Sequence, residues 1–168
     1  MTQLVNTHSS NLDEIVAKPR LFGSATARAA LGAEAEAYVA RASQMISRAR
    51  AIVQGDRVKA LDLLEARRQT LCNHFGRYQR FKHGQIFNPI IDHAPASSKV
   101  VARSMKIDCI ALGEIFAGYH SRWVGLRRDE WTAYRHDMLC TTEMMQANIA
   151  AEMRAIRQLL MISDIYAA

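Results

Sequence analysis

Four long stretches of the chain carry apolar residues at every third or fourth position, and this periodicity restricts the possible folds more than any other feature. The stretches cover residues 26–54, 57–91, 99–125 and 130–163, and only short breaks separate them. Spacing of this kind places the apolar side chains on one face of an α-helix. Four such helices joined by short loops predict an all-α, up-down-up-down four-helix bundle.

Residues with helix-ending or helix-capping properties occupy the breaks. Gly55 is predicted to end the first helix, and Asp56 is a candidate cap for the second. Ser97 and Ser98 are candidate caps for the third helix, and Asp129 is one for the fourth. The predicted helix ends therefore follow from residue types as well as from periodicity.

The length of 168 residues fits a single domain, in which an N-terminal arm (1–24) without periodicity precedes the bundle (25–168). No apolar run approaches the roughly 20 residues of a membrane span, and the first residues do not resemble a signal peptide. Cys72, Cys109 and Cys140 form an odd set without a CxxC pair. They are predicted to be reduced, buried thiols of a cytoplasmic protein.

Positive charge is concentrated in one region of the chain. The net charge is +6, and Arg41–Lys82 contains ten basic and three acidic residues. Such a face is either an ordinary solvated helix surface or a binding surface for an acidic partner. Nucleic acid is a less favoured partner, because aromatic residues do not alternate with the basic ones and no helix-turn-helix or zinc-finger spacing is present. The candidate partner-binding residues are Arg48, Arg50, Arg57, Lys59, Arg67, Arg77 and Arg80.

Polar residues interrupt the inward-facing positions of three predicted helices. They are Tyr78 and Lys82 on the second, Asp108 on the third, and Asn148 and Glu152 on the fourth. Unpaired buried charge is costly, so we expect Lys82 to pair with Glu152 and Asp108 while Tyr78 and Asn148 donate or accept hydrogen bonds around them. The alternative is that one or two helices are rotated and these side chains extend into solvent.

Three segments resemble those of bacterial hemerythrin-like domains, also called HHE cation-binding domains. They are YQRFKHGQIFNPII, EIFAGYHSRW and MMQANIAAEMRAIRQLL, and the resemblance spans Leu31–Leu160. It implies a four-helix bundle whose interior can hold two non-haem irons bound by histidines and carboxylates. Members of this family are associated with dioxygen binding or sensing, iron handling and stress response.

The chain departs from that family at most metal-ligand positions. Tyr78 stands where the motif has histidine, Lys82 where it has the bridging glutamate, and Asp108 where histidines are expected. On the last helix the pair is Asn148 and Glu152, so only one carboxylate matches. Iron needs anionic or imidazole ligands, whereas a protonated lysine has no lone pair to offer. These five residues are therefore interpreted as a vestigial metal-site cluster in which Lys82 replaces the metal.

The expected function is that of a non-enzymatic binding or regulatory module without a cofactor, whose partner is an acidic protein or a second copy of the chain. One alternative is an iron- or oxygen-responsive protein that uses Asp108, Glu152 and nearby histidines. The second is a nucleic-acid-associated protein. His136 and Cys140, four residues apart, form a weaker candidate metal pair. No phosphate-binding loop, dinucleotide motif or nucleophile elbow is present.

Overall fold

A computed structural model describes residues 21–55 and 58–165 of the chain, and these residues are almost entirely helical. The helices are α1 (Ala25–Gln54), α2 (Leu61–Phe81), α3 (Asn88–His93), α4 (Ala96–Arg122) and α5 (Trp131–Ile165). A π-helical segment (Lys82–Phe87) joins α2 to α3, and short 3₁₀ turns (Val58–Ala60, Arg128–Glu130) precede α2 and α5. The described residues contain no strand, so the all-α class is confirmed.

The four long helices pack in a closed ring of contacts. Helix α1 contacts α2 and α5, and α4 contacts the same two helices. This arrangement is compatible with a four-helix bundle, with apolar side chains from all four helices in its interior. Among the described residues, no helix is both long and apolar enough to cross a membrane.

The helix ends agree with the sequence only in part. Helix α1 begins after Ser24, whose hydroxyl oxygen accepts a 3.0 Å hydrogen bond from the Ala27 N–H, and it ends at Gly55 as predicted. Asp56 and most of the predicted N-terminal arm lie outside the described residues. The two serine caps are wrong, because α4 already begins at Ala96 and includes Ser97 and Ser98 in its first turn.

The predicted Asp129 cap is also wrong. Asp129 lies inside the 3₁₀ turn before α5, where its carboxylate accepts from the side chain of Arg127. The Arg127 N–H instead donates to Glu130 at 3.0 Å. Arg127 therefore occupies the capping position of this turn, since its backbone N–H is the group that Glu130 satisfies.

The second predicted helix was expected to run uninterrupted to residue 91, but it contains the π-helical segment. Proline lacks an N–H and its ring collides with the carbonyl four residues earlier in a regular α-helix. For Pro89 that carbonyl belongs to Gln85. The wider π turn removes the conflict, and the Asn88 N–H bonds the His83 carbonyl five residues back. Lys82 is the first residue of this segment.

The inward face of α2 was predicted correctly, whereas that of α4 was rotated by about one residue. Met105, Cys109 and Phe116 are buried on α4, while Asp108 and Ile115 are exposed. The error has a physical cause. Helix α4 also exposes several large apolar residues to solvent, so its periodicity does not distinguish one face clearly; they are Val100, Val101, Ile107, Ile110 and Ile115.

Candidate functional site

A buried ion pair joins the end of α2 to α5. Lys82 is only 3% exposed, and its Nζ lies 2.6 Å from Oε1 of Glu152. The same ammonium lies 4.2 Å from the centroid of the Tyr78 ring, one helical turn earlier on α2. Lysine is almost never fully buried without a partner. Here the carboxylate and the aromatic face together compensate for the water that the ammonium has lost.

Two polar atoms in and around this pair have no hydrogen-bond partner in the described protein. They are the hydroxyl of Tyr78 and Oε2 of Glu152. Burial, reinforced by the negative charge of Glu152, raises the pKa of the Tyr78 hydroxyl well above its usual range. Tyr78 therefore remains protonated at neutral pH and presents a hydrogen-bond donor inside the protein.

Cys109 on α4 lies beside the ion pair, although it was not among the five predicted residues. Burial raises the pKa of its thiol, while the neighbouring Lys82 ammonium acts in the opposite direction. We call Tyr78, Lys82, Cys109 and Glu152 the Lys82 site. Cys109 directly follows Asp108 in the sequence. When the predicted inward face of α4 is shifted by one residue, position 109 replaces position 108 on that face.

Asp108 and Asn148 do not join the ion pair, because both are exposed. The amide of Asn148 donates instead to the Met144 carbonyl on its own helix at 2.8 Å. Asp108 and Asn148 line a surface groove of about 440 Å³ between α4 and α5, which Glu152 and Cys109 also line. The structure therefore places three of the five predicted residues together and two at the surface beside them.

A second pocket of about 220 Å³ lies between α2, α4 and α5 next to the Lys82 site, and it is partly open to solvent at the exposed Ala117. Its polar lining comes from Tyr78, Lys82, Gln79 and Cys109. The rest of its lining is mostly apolar and consists of Cys72, Phe75, Gly76, Leu112, Gly113, Phe116, Ala117, Met145 and Ile149. The pocket is therefore mainly apolar.

The Lys82 site does not fit a di-iron centre. Its only carboxylate, Glu152, already bonds Lys82. The ammonium of Lys82 has no lone pair, and neither Tyr78 nor Cys109 is a carboxylate or an imidazole of the kind that the resemblance implies. Two irons would need several anionic or imidazole ligands, which these side chains do not supply.

Arg68 is a second buried cation that the sequence analysis did not single out, although it lies on the inward face of α2. Its Nη2 donates to the Trp123 carbonyl at the end of α4, and its guanidinium lies 5.1 Å from the centroid of the Tyr134 ring. Its Nε and Nη1 have no partner in the described protein. The adjoining cavity measures about 20 Å³, room for no more than a water molecule, so Arg68 is interpreted as a structural residue.

Only some residues of the predicted basic face are exposed to solvent. Arg50 is half-buried, and its Nη1 donates to the Leu139 carbonyl and the Thr142 hydroxyl of α5. Arg57 lies outside the described residues, and Arg67 is half-buried. Four of the predicted residues are exposed: Arg48, Lys59, Arg77 and Arg80.

His136 and Cys140 are both exposed on α5, with 3.9 Å between Nε2 and Sγ. The ring of the buried His74 hydrogen-bonds the Tyr38 carbonyl at 2.9 Å. Residues 21–55 and 58–165 contain no group of three or more His, Cys, Asp or Glu side chains that could hold a metal. All three cysteines are free, but only Cys109 is buried, so the prediction of three buried thiols is wrong.

Comparisons of the chain with protein-family profiles, with curated proteins and with solved structures find no match.

Proposed function

We propose that this chain is a non-enzymatic binding or regulatory module, built on an up-down, hemerythrin-like bundle in which an internal ion pair takes the place of a metal centre. The observation that carries the proposal is the contact of 2.6 Å between Lys82 and Glu152 in the interior. Lys82 stands where the resemblance places a bridging glutamate. The ammonium neutralises the one carboxylate that the resemblance retains.

In the proposed metal-free bundle, the ion pair makes a contact between helices that metal ligands would otherwise make. Metal ions crosslink the helices that supply their ligands, and their binding free energy contributes to folding. Lys82 and Glu152 make an equivalent crosslink between α2 and α5, and Cys109 brings α4 to the same point. A buried pair of this kind fixes the relative positions of helices more than it adds stability.

The partner proposed for this module is an acidic protein or a second copy of the chain. Four basic residues are exposed: Arg48 on α1, Lys59 just before α2, and Arg77 and Arg80 on α2. Helices α1 and α2 pack against each other. Exposed positive charge of this kind speeds encounter with acidic surfaces. Nucleic acid would use the same residues, and a steep fall in binding with added salt would support that alternative.

The test of this proposal is the metal content of the purified protein, measured by mass spectrometry. The protein is expressed in medium supplemented with iron and zinc, and purified without chelator or a histidine tag. Metal far below one equivalent per chain is expected. Two irons per chain would overturn the proposal, and one zinc per chain would point to His136 and Cys140 instead.

A matched variant makes the test sharper. Lys82→Glu restores the carboxylate at the position where the resemblance expects one, and Lys82→Met removes the charge without adding a ligand. If the ammonium is what excludes metal, Lys82→Glu takes up more iron than Lys82→Met. Equal uptake by the two variants would show that Lys82 does not control metal binding.

A further inference from the structure

We propose that α4 pairs with α4 of a second copy of the chain, in antiparallel orientation, through an exposed apolar face centred near Ile107. The inference rests on the proposed function, which leaves the partner open between an acidic protein and a second copy, and it selects the second copy. The contact uses neither the Lys82 site nor the exposed basic residues of α1 and α2.

Helix α4 carries apolar side chains on its solvent side as well as on its core side. More than half of the large apolar side chains that the described residues expose lie on this helix. Val100 is 64% exposed and Ile107 is 66% exposed. Single exposed apolar residues are ordinary, whereas several on one face mark a contact surface. The outer face of α4 is therefore a candidate interface.

The exposed residues of α4 are aligned. Four of them follow one another at intervals of three or four positions, which places them along one line of the helix: Val100, Ser104, Ile107 and Ala111. Ile110, three residues after Ile107 and 40% exposed, widens this line. Ser104 and Ala111 have small side chains, so a second helix can approach closely at these positions.

Two charges of opposite sign border the apolar face. Arg103 and Glu114 are exposed, and neither forms an ion pair with another described residue. They lie about 16 Å apart along the helix, too far to pair with each other. The nearby Lys106 is already held by the Asn88 side chain at 2.8 Å, and Asp108 lines the groove towards α5. A partner on this face must therefore complement Arg103 and Glu114.

An antiparallel copy of α4 supplies this complement. Ile107 follows Arg103 by four residues, and Ile110 precedes Glu114 by four residues. An antiparallel helix that sets Ile107 opposite Ile110 therefore also sets Arg103 opposite Glu114. A two-fold axis across α4 repeats both contacts, as an interface between identical surfaces requires. A parallel pair would instead set like charges beside each other, which is unfavourable.

The size of the contact predicts a weak dimer. The apolar face extends over about 20 Å from Val100 to Glu114, and each copy contributes one helix. Stable interfaces of standard size bury about 1,600 Å², and we expect a single pair of helices to bury less. The dimer should therefore be reversible, with a dissociation constant in the micromolar range.

Sedimentation equilibrium of the full chain, from about 1 μM to about 500 μM, measures this dimer. We expect a reversible equilibrium between monomer and dimer. Ile107→Lys places a charge at the centre of the face and should leave only monomer. Met161→Lys is the matched control, because Met161 is 57% exposed on α5, and it should leave the dissociation constant unchanged. Helix content by circular dichroism establishes that both variants are folded.

Exchange of the two charges tests the antiparallel orientation. Arg103→Glu sets two carboxylates opposite each other at both ends of the contact, and it should weaken the dimer about tenfold. Arg103→Glu combined with Glu114→Arg restores opposite charges at both ends, so it should recover the native dissociation constant. No recovery in the double variant would overturn the antiparallel pairing.

A monomeric mass at every concentration, or a dimer that Ile107→Lys leaves intact, would overturn the inference. Monomer that binds lipid vesicles would overturn it as well, because the face would then contact a membrane surface. The metal content of the same sample separates these failures from that of the proposed function. Metal-free protein that stays monomeric overturns the inference alone, whereas two irons per chain in a dimeric protein overturn the proposed function and leave the α4 contact in place.

Discussion

At the scale of single residues, two buried cations have different hydrogen-bond partners. Lys82 faces a carboxylate, whereas Arg68 faces a backbone carbonyl and an aromatic ring. Removing one member of a buried ion pair leaves the other charge without a partner, which is strongly destabilising. Removing a buried cation that has no carboxylate leaves no such charge behind. The two residues should therefore respond differently to the same substitution.

Lys82→Met is expected to lower the free energy of unfolding by about 3 kcal/mol at neutral pH, because it leaves the Glu152 carboxylate without its partner. The double variant Lys82→Met with Glu152→Leu removes both charges and should lie within about 1 kcal/mol of the native protein. Urea denaturation of both variants and of Glu152→Leu alone measures the coupling. Additive effects of the two single substitutions would contradict a direct ion pair.

Arg68→Met is expected to change the free energy of unfolding by less than about 1 kcal/mol. The lost hydrogen bond to the Trp123 carbonyl is offset by removal of two buried nitrogen atoms, Nε and Nη1, that have no partner among the described residues. Arg68→Ala is the control for volume, and the cavity it leaves should make it less stable than Arg68→Met. A loss of several kcal/mol in Arg68→Met would show that its guanidinium bonds are stronger than the geometry indicates.

At the scale of helices, the periodicity of apolar residues predicted well which segments are helical and how long they are. It predicted the inward-facing side correctly for α2 but not for α4. The inward face of α2 was correct because charged and polar residues fill its outer side. The inward face of α4 was predicted one residue out of position, which placed Asp108 inside and Cys109 outside. Apolar residues such as Ile107 and Ile115 also occupy the exposed side of α4 and obscure its periodicity. The contact between Lys82 and Glu152 could be predicted because both residues occupy inward-facing positions of their helices.

The π-helical segment could not be predicted from periodicity, because it changes the number of residues per turn. Pro89 was visible in the sequence, but proline can end, kink or widen a helix, and only the packing of the following residues decides among these. Here α3 packs on α4, and Lys106 Nζ holds the Asn88 side chain at 2.8 Å. Tertiary contact therefore determines the local backbone.

The connection between α4 and α5 gives a prediction at the same scale. Gly125 has a φ of 66°, a conformation that residues with a Cβ adopt only with strain. Gly125→Ala should lower the free energy of unfolding by about 1 kcal/mol. Gly118→Ala is the matched control inside α4, where a Cβ meets nothing within 4 Å, and it should raise stability by about 0.5–1 kcal/mol. Thermal and urea denaturation compare the two; equal effects would contradict the strained turn.

At the scale of the whole molecule, burial of histidine links stability to pH. Burial is the main cause of the lowered pKa of His74, and the positive charges of Arg77 and Arg41 add to it, although the hydrogen bond to the Tyr38 carbonyl acts in the opposite direction. Burial also lowers the pKa of His83, with contributions from Lys106 and Lys82. Both histidines are thus held in the neutral form by the folded state.

The sign of the effect follows from the protons that each state binds. In the unfolded chain both histidines titrate near pH 6.5, whereas in the folded protein they do so at lower pH. Below pH 6.5 the unfolded state therefore binds more protons, and stability falls with acidification. The contribution is fully present above pH 6.5 and is lost as the pH falls towards the folded pKa values.

We therefore expect urea midpoints of the native protein to fall between pH 7.5 and pH 5.5, a window that lies above the ordinary range of carboxylates. The variant His74→Gln with His83→Gln removes both titrating groups and should show a smaller fall over the same window. His93→Gln is the control, because His93 is exposed and has no buried ring to protonate. Equal pH dependence in all three proteins would assign the loss of stability to other groups, and a rise in stability on acidification would contradict burial of neutral histidines altogether.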